Sequence, residues 1–377
     1  MHAPGREHNV KRRLRPAAVL AALVIATAPI VAAAEPQDKP PERERIASAI
    51  EGGLHWLADQ QIKEGPSAGS WPCPHYETAT TSFAGLAFLA NGHVPGKGEY
   101  GQVVTRAMRY VQASMTPDGY VGTRGDSMYV HAICTLFGLS YLGMSENPEE
   151  EKELAAWCRR SIDLIVEAQK VRKRPSEQGG WRYSPYSDDS DLSVTSWQLL
   201  VLHAARQCGY EIDDGVFQAA MKYVNSGFVE VEGGEAGFVY RPGISKDPEP
   251  GVSGAALLLK SILEAEQDEK ADKALALLRR YPPSWGGRQY KGYFFFDTFY
   301  MAQGMFQTSD EDWAAFAPAN QRVLIEHQEG DGHWGFPQDN KLQGRLAGEA
   351  YSTALAVLIL SLEKQYLPMY QRQRKLF

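Results

Sequence analysis

Six acidic residues stand at equivalent places in a repeated pattern, each opening a stretch of small and apolar residues: Glu77, Asp126, Asp191, Glu249, Asp297 and Glu349. At the start of a helix, such a side chain caps free N–H groups or complements the helix dipole, contributing about 0.5–2 kcal/mol. Six carboxylates on parallel helices would also ring one mouth of the assembly. There they could bind a cation or feed a proton into a central cavity. Both interpretations stay open at this stage.

One of these acids belongs to a local cluster. Asp188, Asp189 and Asp191 occur together in the segment DDSDLSVTSW. Neighbouring carboxylates and hydrogen bonds can keep one acid protonated, so that it donates a proton to a substrate. If the chain is an enzyme, we expect Asp191 to be the acid, assisted by Asp189, with Asp188 beside them.

Aromatic residues lie near the same acids. Together with the acids they form a candidate lining for a ligand cavity: Glu77, Asp126, Tyr129, Trp197, Asp297, Phe299, Tyr300, Glu349 and Tyr351. Aromatic faces stabilise cations through the ring quadrupole. The same aromatic residues would also suit ordinary core packing, and the sequence does not separate the two roles.

Paired helices must position these residues. Six units of about 50 residues each begin with an amphipathic stretch and break at glycine followed by an aromatic residue, as in Gly69-Ser70-Trp71 and Gly332-His333-Trp334. Each unit then resumes in a stretch that is apolar nearly all round, which is typical of an inner helix. Neither terminal unit resembles a polar cap, which an open solenoid would need. The pattern predicts an all-α protein, a single (α/α)6 toroid of six helix-pair repeats.

The N-terminus has the features of an export signal. Four basic residues within 11–15 precede an apolar stretch, residues 16–34, that ends in alanines. We expect residues 1–34 to be a signal peptide, 35–45 a linker and 46–377 the toroid, with a periplasmic or secreted location. The alternative is an uncleaved membrane anchor, because the stretch is close to the length that spans a bilayer. In that case this segment would be the protein's membrane contact.

Composition excludes some classes of partner but does not decide whether the cysteines form disulfides. Removal of residues 1–34 takes away five basic and one acidic residue, so the formal net charge changes from −7 to −11. A protein this acidic has no general attraction for nucleic acid or anionic lipid. The four cysteines have no metal-binding spacing and could be paired or simply buried. We find no motif for a cofactor, and none is expected.

Glutamine and tryptophan recur around the glycine breaks. Gln328 precedes Gly332 and Trp334, Gln61 precedes Gly69 and Trp71, and either Gln169 or Gln178 precedes Gly180 and Trp181. Over residues 46–363 this pattern resembles the QW repeat of the terpene cyclase and protein prenyltransferase superfamily. The resemblance implies the toroid fold, whereas function has to be argued from a site.

The catalytic motifs of that superfamily are incomplete in this chain. Asp297 matches the zinc-binding aspartate of protein prenyltransferases, but Phe299 and Ser352 stand where the cysteine and histidine should be, so we expect no such metal site. Cyclases of the squalene-hopene type use D-x-D-D-T-A. One alignment places Asp191 at the proton donor but Leu192 at the last aspartate, and the other places Ser193 at the donor.

Three hypotheses follow. The first is an exported binding or interaction module of the cell envelope, holding an apolar small molecule, a peptide or a glycan in the central cavity. The second is a class II terpene cyclase-like enzyme that acts on an isoprenoid with Asp191 as the proton donor. The third is a polysaccharide-active enzyme, which would need two facing carboxylates.

Overall fold

The computed structural model describes residues 42–122, 127–263, 268–291 and 293–371. Helices that alternate along the chain form two sets. The outer set is α1 Glu42–Gln60, α3 Gly101–Ala113, α5 Pro148–Gln169, α7 Asp214–Ser226, α9 Glu269–Arg280 and α11 Asp310–Glu326. The inner set is α2 Glu77–Leu89, α4 Met128–Tyr141, α6 Leu192–Gln207, α8 Pro250–Leu263, α10 Phe294–Thr308 and α13 Glu349–Leu360.

Three shorter elements complete the described secondary structure apart from single 3-10 turns. Strands β1 Phe228–Glu230 and β2 Ala236–Phe238 form an antiparallel hairpin between α7 and α8, with Phe228 opposite Phe238. Helix α12 Lys341–Ala347 lies in the connection before α13.

The inner helices form a closed ring. Each one packs against the next along the ring, in the order α2, α4, α6, α8, α10 and α13, and α13 packs back against α2. Closure leaves no exposed end of the inner set to be capped by polar residues. The fold class predicted from the sequence, an all-α (α/α)6 toroid, is therefore confirmed.

Burial separates the two sets as the residue patterns require. In α3 the buried Val103, Val104, Ala107, Met108 and Val111 recur at three- and four-residue spacing, as on the inward face of an amphipathic helix. In α6 every residue from 192 to 205 is buried. A helix buried on all sides belongs inside, because none of its faces contacts solvent.

The glutamine residues join consecutive outer helices. Gln61 Nε2 donates to the carbonyl oxygens of Gly69 and of Val103 in α3, at 3.0 and 2.9 Å. Gln328 Nε2 makes the equivalent bonds to Gly332 and to Ala49 in α1, at 2.8 and 2.9 Å. The second pair links the last repeat to the first, so this side chain helps to close the ring.

The third such glutamine is Gln169, whose Nε2 donates to the carbonyl oxygens of Gly179 and Val216 at 2.8 and 2.9 Å. This settles the choice between Gln169 and Gln178 that the sequence left open. Gly179 has φ +96°, and a Cβ on it would lie 2.2 Å from the Ala219 carbonyl oxygen. Only glycine allows the loop to approach the next outer helix so closely.

The tryptophan after each of these glycines is buried and anchors the loop to the helix before it. Trp71, Trp181 and Trp334 donate their indole N–H to the carbonyl oxygens of Leu57, Ile165 and Leu324, at 2.6–2.8 Å. A buried indole needs such a partner, since an unpaired N–H would be costly.

Aromatic side chains fill the centre of the ring. Phe83 of α2, Trp197 of α6 and Phe299 of α10 come from alternate inner helices and meet with ring centroids 5.7, 5.8 and 6.3 Å apart. All three are at most 2% exposed. We call them the aromatic plug. At this level the described part of the toroid is a packed core without an open channel.

The C-terminal segment crosses the end of the ring where the inner helices finish. The 3-10 turn Pro368–Tyr370 packs against α6, and the Tyr370 hydroxyl donates to the Leu358 carbonyl oxygen of α13 at 3.3 Å. Gln307, in the last turn of α10, donates to the Gln371 carbonyl oxygen at 3.4 Å. This end of the toroid is therefore covered.

Two sequence expectations are refined by the structure. Helix α1 begins at Glu42, so the last four residues of the predicted linker, 42–45, are helical. All four cysteines are free thiols in the described chain. Among the helices in the described ranges, none combines the length and the apolar character needed to cross a bilayer. The predicted signal peptide lies outside the described residues.

Candidate functional site

The first turns of the inner helices lie together at one end of the ring. The Tyr129 hydroxyl of α4 donates to the Ser193 hydroxyl of α6. Asp297 of α10 lies against Gly251 of α8, where a Cβ would come within 2.0 Å of the carboxylate oxygen Oδ1. We call this end of the toroid the mouth.

Solvent reaches the inner helices at the mouth. Tyr129, Phe296, Asp297 and Tyr351, all in first turns, are half-buried, while the turn that follows each of them is fully buried. These four side chains, together with the exposed Tyr183 in the loop before α6, are called the mouth site. Three residues that the sequence suggested as cavity lining, Tyr129, Asp297 and Tyr351, therefore belong to the mouth site.

A continuous aromatic path runs from the rim to the plug. The Tyr183 ring is 6.0 Å from that of Tyr129, which is 6.1 Å from Phe296 on the opposite side of the ring. Phe296 is 5.0 Å from the buried Tyr300, whose ring lies 5.5 Å from Trp197. The mouth site is thus an aromatic funnel with a closed floor. Trp197, Phe299 and Tyr300, which the sequence suggested as cavity lining, form that floor.

Asp191 is the N-cap of α6 and is fully buried. Its Oδ1 accepts the Val194 N–H at 2.8 Å and the Ser193 hydroxyl at 2.7 Å. Its Oδ2 accepts Arg182 Nη1 at 2.6 Å. Both oxygens therefore accept hydrogen bonds from donors, which is the arrangement that an ionised carboxylate requires.

Burial and pairing act in opposite directions on this ion pair. Burial raises the pKa of Asp191 above its ordinary value, while the Val194 N–H, the Ser193 hydroxyl and Arg182 oppose that rise. Burial likewise disfavours the charged guanidinium of Arg182, but the Asp191 carboxylate outweighs burial and raises the pKa of Arg182 further. Arg182 therefore stays charged and favours a charged partner at Asp191.

The other two acids of the cluster make no hydrogen bond to Asp191 among the described residues. Asp189 Oδ2 accepts Arg241 Nη2 at 2.9 Å and lies 3.3 Å from Arg182 Nε. Asp188 is exposed. Two arginines hold the cluster together, and sequence reasoning missed both. The sequence offered one signal for these arginines, which is that basic residues flank the acidic segment. Arg182 directly follows Trp181 in the glycine break, and Arg241 lies between β2 and α8.

Asp297 has a different environment. No described residue donates a hydrogen bond to its carboxylate, and it packs against the backbone of Gly251. Burial and the nearby Glu249 raise the pKa of Asp297 well above its ordinary value, and Lys291 partly opposes them. Lys291 itself pairs with Glu249 at 2.8 Å. Asp297 is therefore the acid at the mouth whose surroundings favour the neutral form.

We expect Asp297→Asn to be more stable than the natural protein at pH 8, by about 1–2 kcal/mol, because burying a charge without a partner is unfavourable. Since the folded pKa is raised, the folded state binds more protons above the ordinary value of 3.8, and stability falls as pH rises. In Asp297→Asn we expect this fall of stability with pH to be absent. Urea unfolding from pH 5 to 9 measures how the free energy of unfolding depends on pH, with the exposed Glu349→Gln as control. Parallel profiles for Asp297→Asn and the natural protein would contradict this account.

The remaining acids of the predicted ring have separate surroundings. Glu77 accepts the Ser70 hydroxyl at 2.6 Å, and Glu349 is exposed with His333 Nε2 at 3.7 Å. Asp126 lies outside the described residues. Among the five described acids, Asp191 alone caps its helix through its side chain, and Glu77, Asp297 and Glu349 lie inside the first turn.

The positions expected to lack metal ligands have other roles. Phe299 is part of the plug, and the Ser352 hydroxyl donates to the Trp334 carbonyl oxygen at 2.5 Å. Within the described ranges no group of three or more histidine, cysteine, aspartate or glutamate side chains is arranged to hold a metal ion.

Two polar atoms at the floor lack partners. Among the described residues nothing bonds to the Trp197 indole N–H or to the Tyr300 hydroxyl, although both side chains are fully buried.

No known family model matches the chain, and no curated protein matches it. Several solved structures are similar to it. The type II terpene cyclase MstE from Scytonema matches with a TM-score of 0.56 at 13% identity, covering 87% of this chain and 100% of that chain. An α-1,6-mannanase from Salegentibacter, in complex with α-1,6-mannotriose, matches with a TM-score of 0.56 at 13% identity, covering 84% and 98%.

A family 76 glycoside hydrolase from a bovine Bacteroides thetaiotaomicron strain matches with a TM-score of 0.61 at 11% identity, covering 85% of this chain and 77% of that chain. Identities this low show the fold alone. The chain therefore has the α/α toroid fold that is found in type II terpene cyclases and in family 76 glycoside hydrolases.

Proposed function

We propose that this protein is an exported, non-catalytic binding module that holds its ligand at the mouth of the toroid. The hydrogen bonding of Asp191 is the observation that carries the proposal. An acid that protonates an alkene has to be protonated and to face the substrate. Asp191 is buried, and its two oxygens are occupied by Val194, Ser193 and Arg182.

The packed centre also favours binding at the mouth. Isoprenoid cyclisation requires a cavity that folds and encloses a hydrocarbon chain. In this toroid the aromatic plug occupies the ring axis, and the C-terminal segment covers the far end. A ligand can still contact the half-buried first turns and the rim loops.

Export to the periplasm or cell exterior is part of the proposal and is supported by the basic and apolar composition of residues 11–34. The native protein should begin near Glu35 when its N-terminus is sequenced. An intact Met1 on protein from the soluble cytoplasm would overturn this part.

Turnover distinguishes the binding module from a cyclase. The purified full chain is incubated with squalene and with geranylgeraniol, and the extracts are analysed by gas chromatography with mass spectrometry. We expect no cyclised product above a buffer control. A cyclised product formed by the natural protein and lost in Asp191→Asn, with the variant still folded, would contradict the proposal.

A further inference from the structure

We infer that the ligand of the mouth site is a neutral oligosaccharide. The inference rests on the proposed function, because it specifies the chemistry of the molecule that the mouth holds.

Exposed large hydrophobic side chains are concentrated in the loops that precede the inner helices. In the described chain, seven large hydrophobic side chains are exposed, and five of them lie in loops that lead into inner helices: Tyr76, Tyr183, Tyr186, Ile244 and Tyr293. Val94 and Tyr366 lie after α2 and α13, toward the other end. A pyranose ring presents a face of C–H groups that stacks on an aromatic ring. Tyr183, whose ring lies 6.0 Å from that of Tyr129, offers such a ring at the edge of the mouth site.

Three cations near the mouth are paired with acids. Arg182 pairs with Asp189 and Asp191, Arg241 also pairs with Asp189, and Lys291 pairs with Glu249. Arg182 is further fixed by the Tyr183 ring, 4.3 Å from its guanidinium carbon. Such pairs present N–H groups and oxygen lone pairs in fixed directions, which match hydroxyl groups. They offer little net charge to attract an ionic ligand.

The Asp297 carboxyl at the mouth offers a position for a hydroxyl group of the ligand. It lies in the half-buried first turn of α10, and none of the described residues donates a hydrogen bond to it. A hydrocarbon cannot satisfy this carboxyl group, whereas sugar hydroxyl groups and the waters they carry both donate and accept.

The test measures binding of the full chain to an array of neutral and acidic oligosaccharides that includes α-1,6-mannotriose and β-1,4-linked glucans, with geranylgeraniol measured in parallel. Positive glycans are titrated by calorimetry. We expect a neutral oligosaccharide to bind, and Tyr183→Ala to weaken its affinity about tenfold or more, since the ring both stacks and fixes Arg182. Tyr366→Ala is the matched control, because Tyr366 is 59% exposed and lies after α13, and we expect its affinity to be unchanged.

The outcomes separate the two proposals. Binding of geranylgeraniol or of an acidic glycan, weakened by Tyr183→Ala, together with no neutral glycan bound, would overturn the inference and leave the mouth as a binding site. A neutral glycan that binds equally well to Tyr183→Ala and to the natural protein would overturn the mouth assignment. Release of reducing sugar from a bound glycan would support the ligand class but contradict a non-catalytic role. No binding to any probe would overturn both.

Discussion

Replacing Trp197 with alanine is expected to destabilise the protein by about 3–5 kcal/mol, the usual cost of emptying a large aromatic site in a packed core. Trp197 is fully buried and contacts Phe83, Phe299 and Tyr300 at the ring axis. The Trp197→Ala variant loses all of these contacts, because the indole is removed. Equilibrium unfolding in urea, followed by circular dichroism, measures the loss.

A matched variant and a ligand sharpen this prediction. Trp197→Phe keeps an aromatic ring in the plug and should cost clearly less than Trp197→Ala. The cavity left by alanine should take up benzene, which would raise the melting temperature of the variant and not that of the natural protein. If Trp197 instead lined an open cavity, Trp197→Ala would leave stability nearly unchanged, and the filled-centre account would be wrong.

Replacing Asp191 with asparagine should also destabilise the protein, by about 2 kcal/mol, because it breaks a buried ion pair. Asparagine still caps α6, but the Arg182 side chain, which is only 16% exposed, loses the nearer of its two charged partners and keeps only Asp189, at 3.3 Å. The guanidinium is then less well compensated in a site where burial disfavours its charge. Urea unfolding at pH 7 is again the measurement.

Two further variants identify the ion pair as the cause. Glu77→Gln changes another acid of the ring, which accepts a hydrogen bond from Ser70, and should cost under about 1 kcal/mol. Arg182→Met combined with Asp191→Asn should recover part of the stability lost by Asp191→Asn alone, because the poorly compensated guanidinium is removed while Asp189 keeps Arg241 as its partner. A double variant that is simply additive would show that the two residues are not coupled.

The repeat architecture could be predicted because its determinants are local. Glycine breaks, buried tryptophans and apolar inner helices are each visible within about 15 residues of sequence. The contacts made by Gln61 and Gln328 explain why glutamine belongs to the pattern. The sequence could not show that Gln328 reaches Ala49, since the two residues meet through ring closure.

The site was less predictable because its character depends on residues that are distant in sequence. From sequence alone, Asp191 as a pure cap would tolerate asparagine well. The structure changes that expectation by placing Arg182 against it, across the bridge between Trp181 and Asp191. Likewise, Trp197 and Phe299 each fit either a cavity wall or a core in the sequence, and Phe83 was not among the candidate residues. Only the meeting of alternate inner helices shows that they fill the centre.

The central claim is that Asp191 is an ionised structural residue, so that the toroid binds its ligand without protonating it. The most direct test is the carboxyl carbon-13 signal of Asp191 in the native protein at pH 7, assigned by its absence from Asp191→Asn. We predict the chemical shift of a carboxylate paired with Arg182. The shift of a protonated carboxyl group at pH 7 would contradict the account.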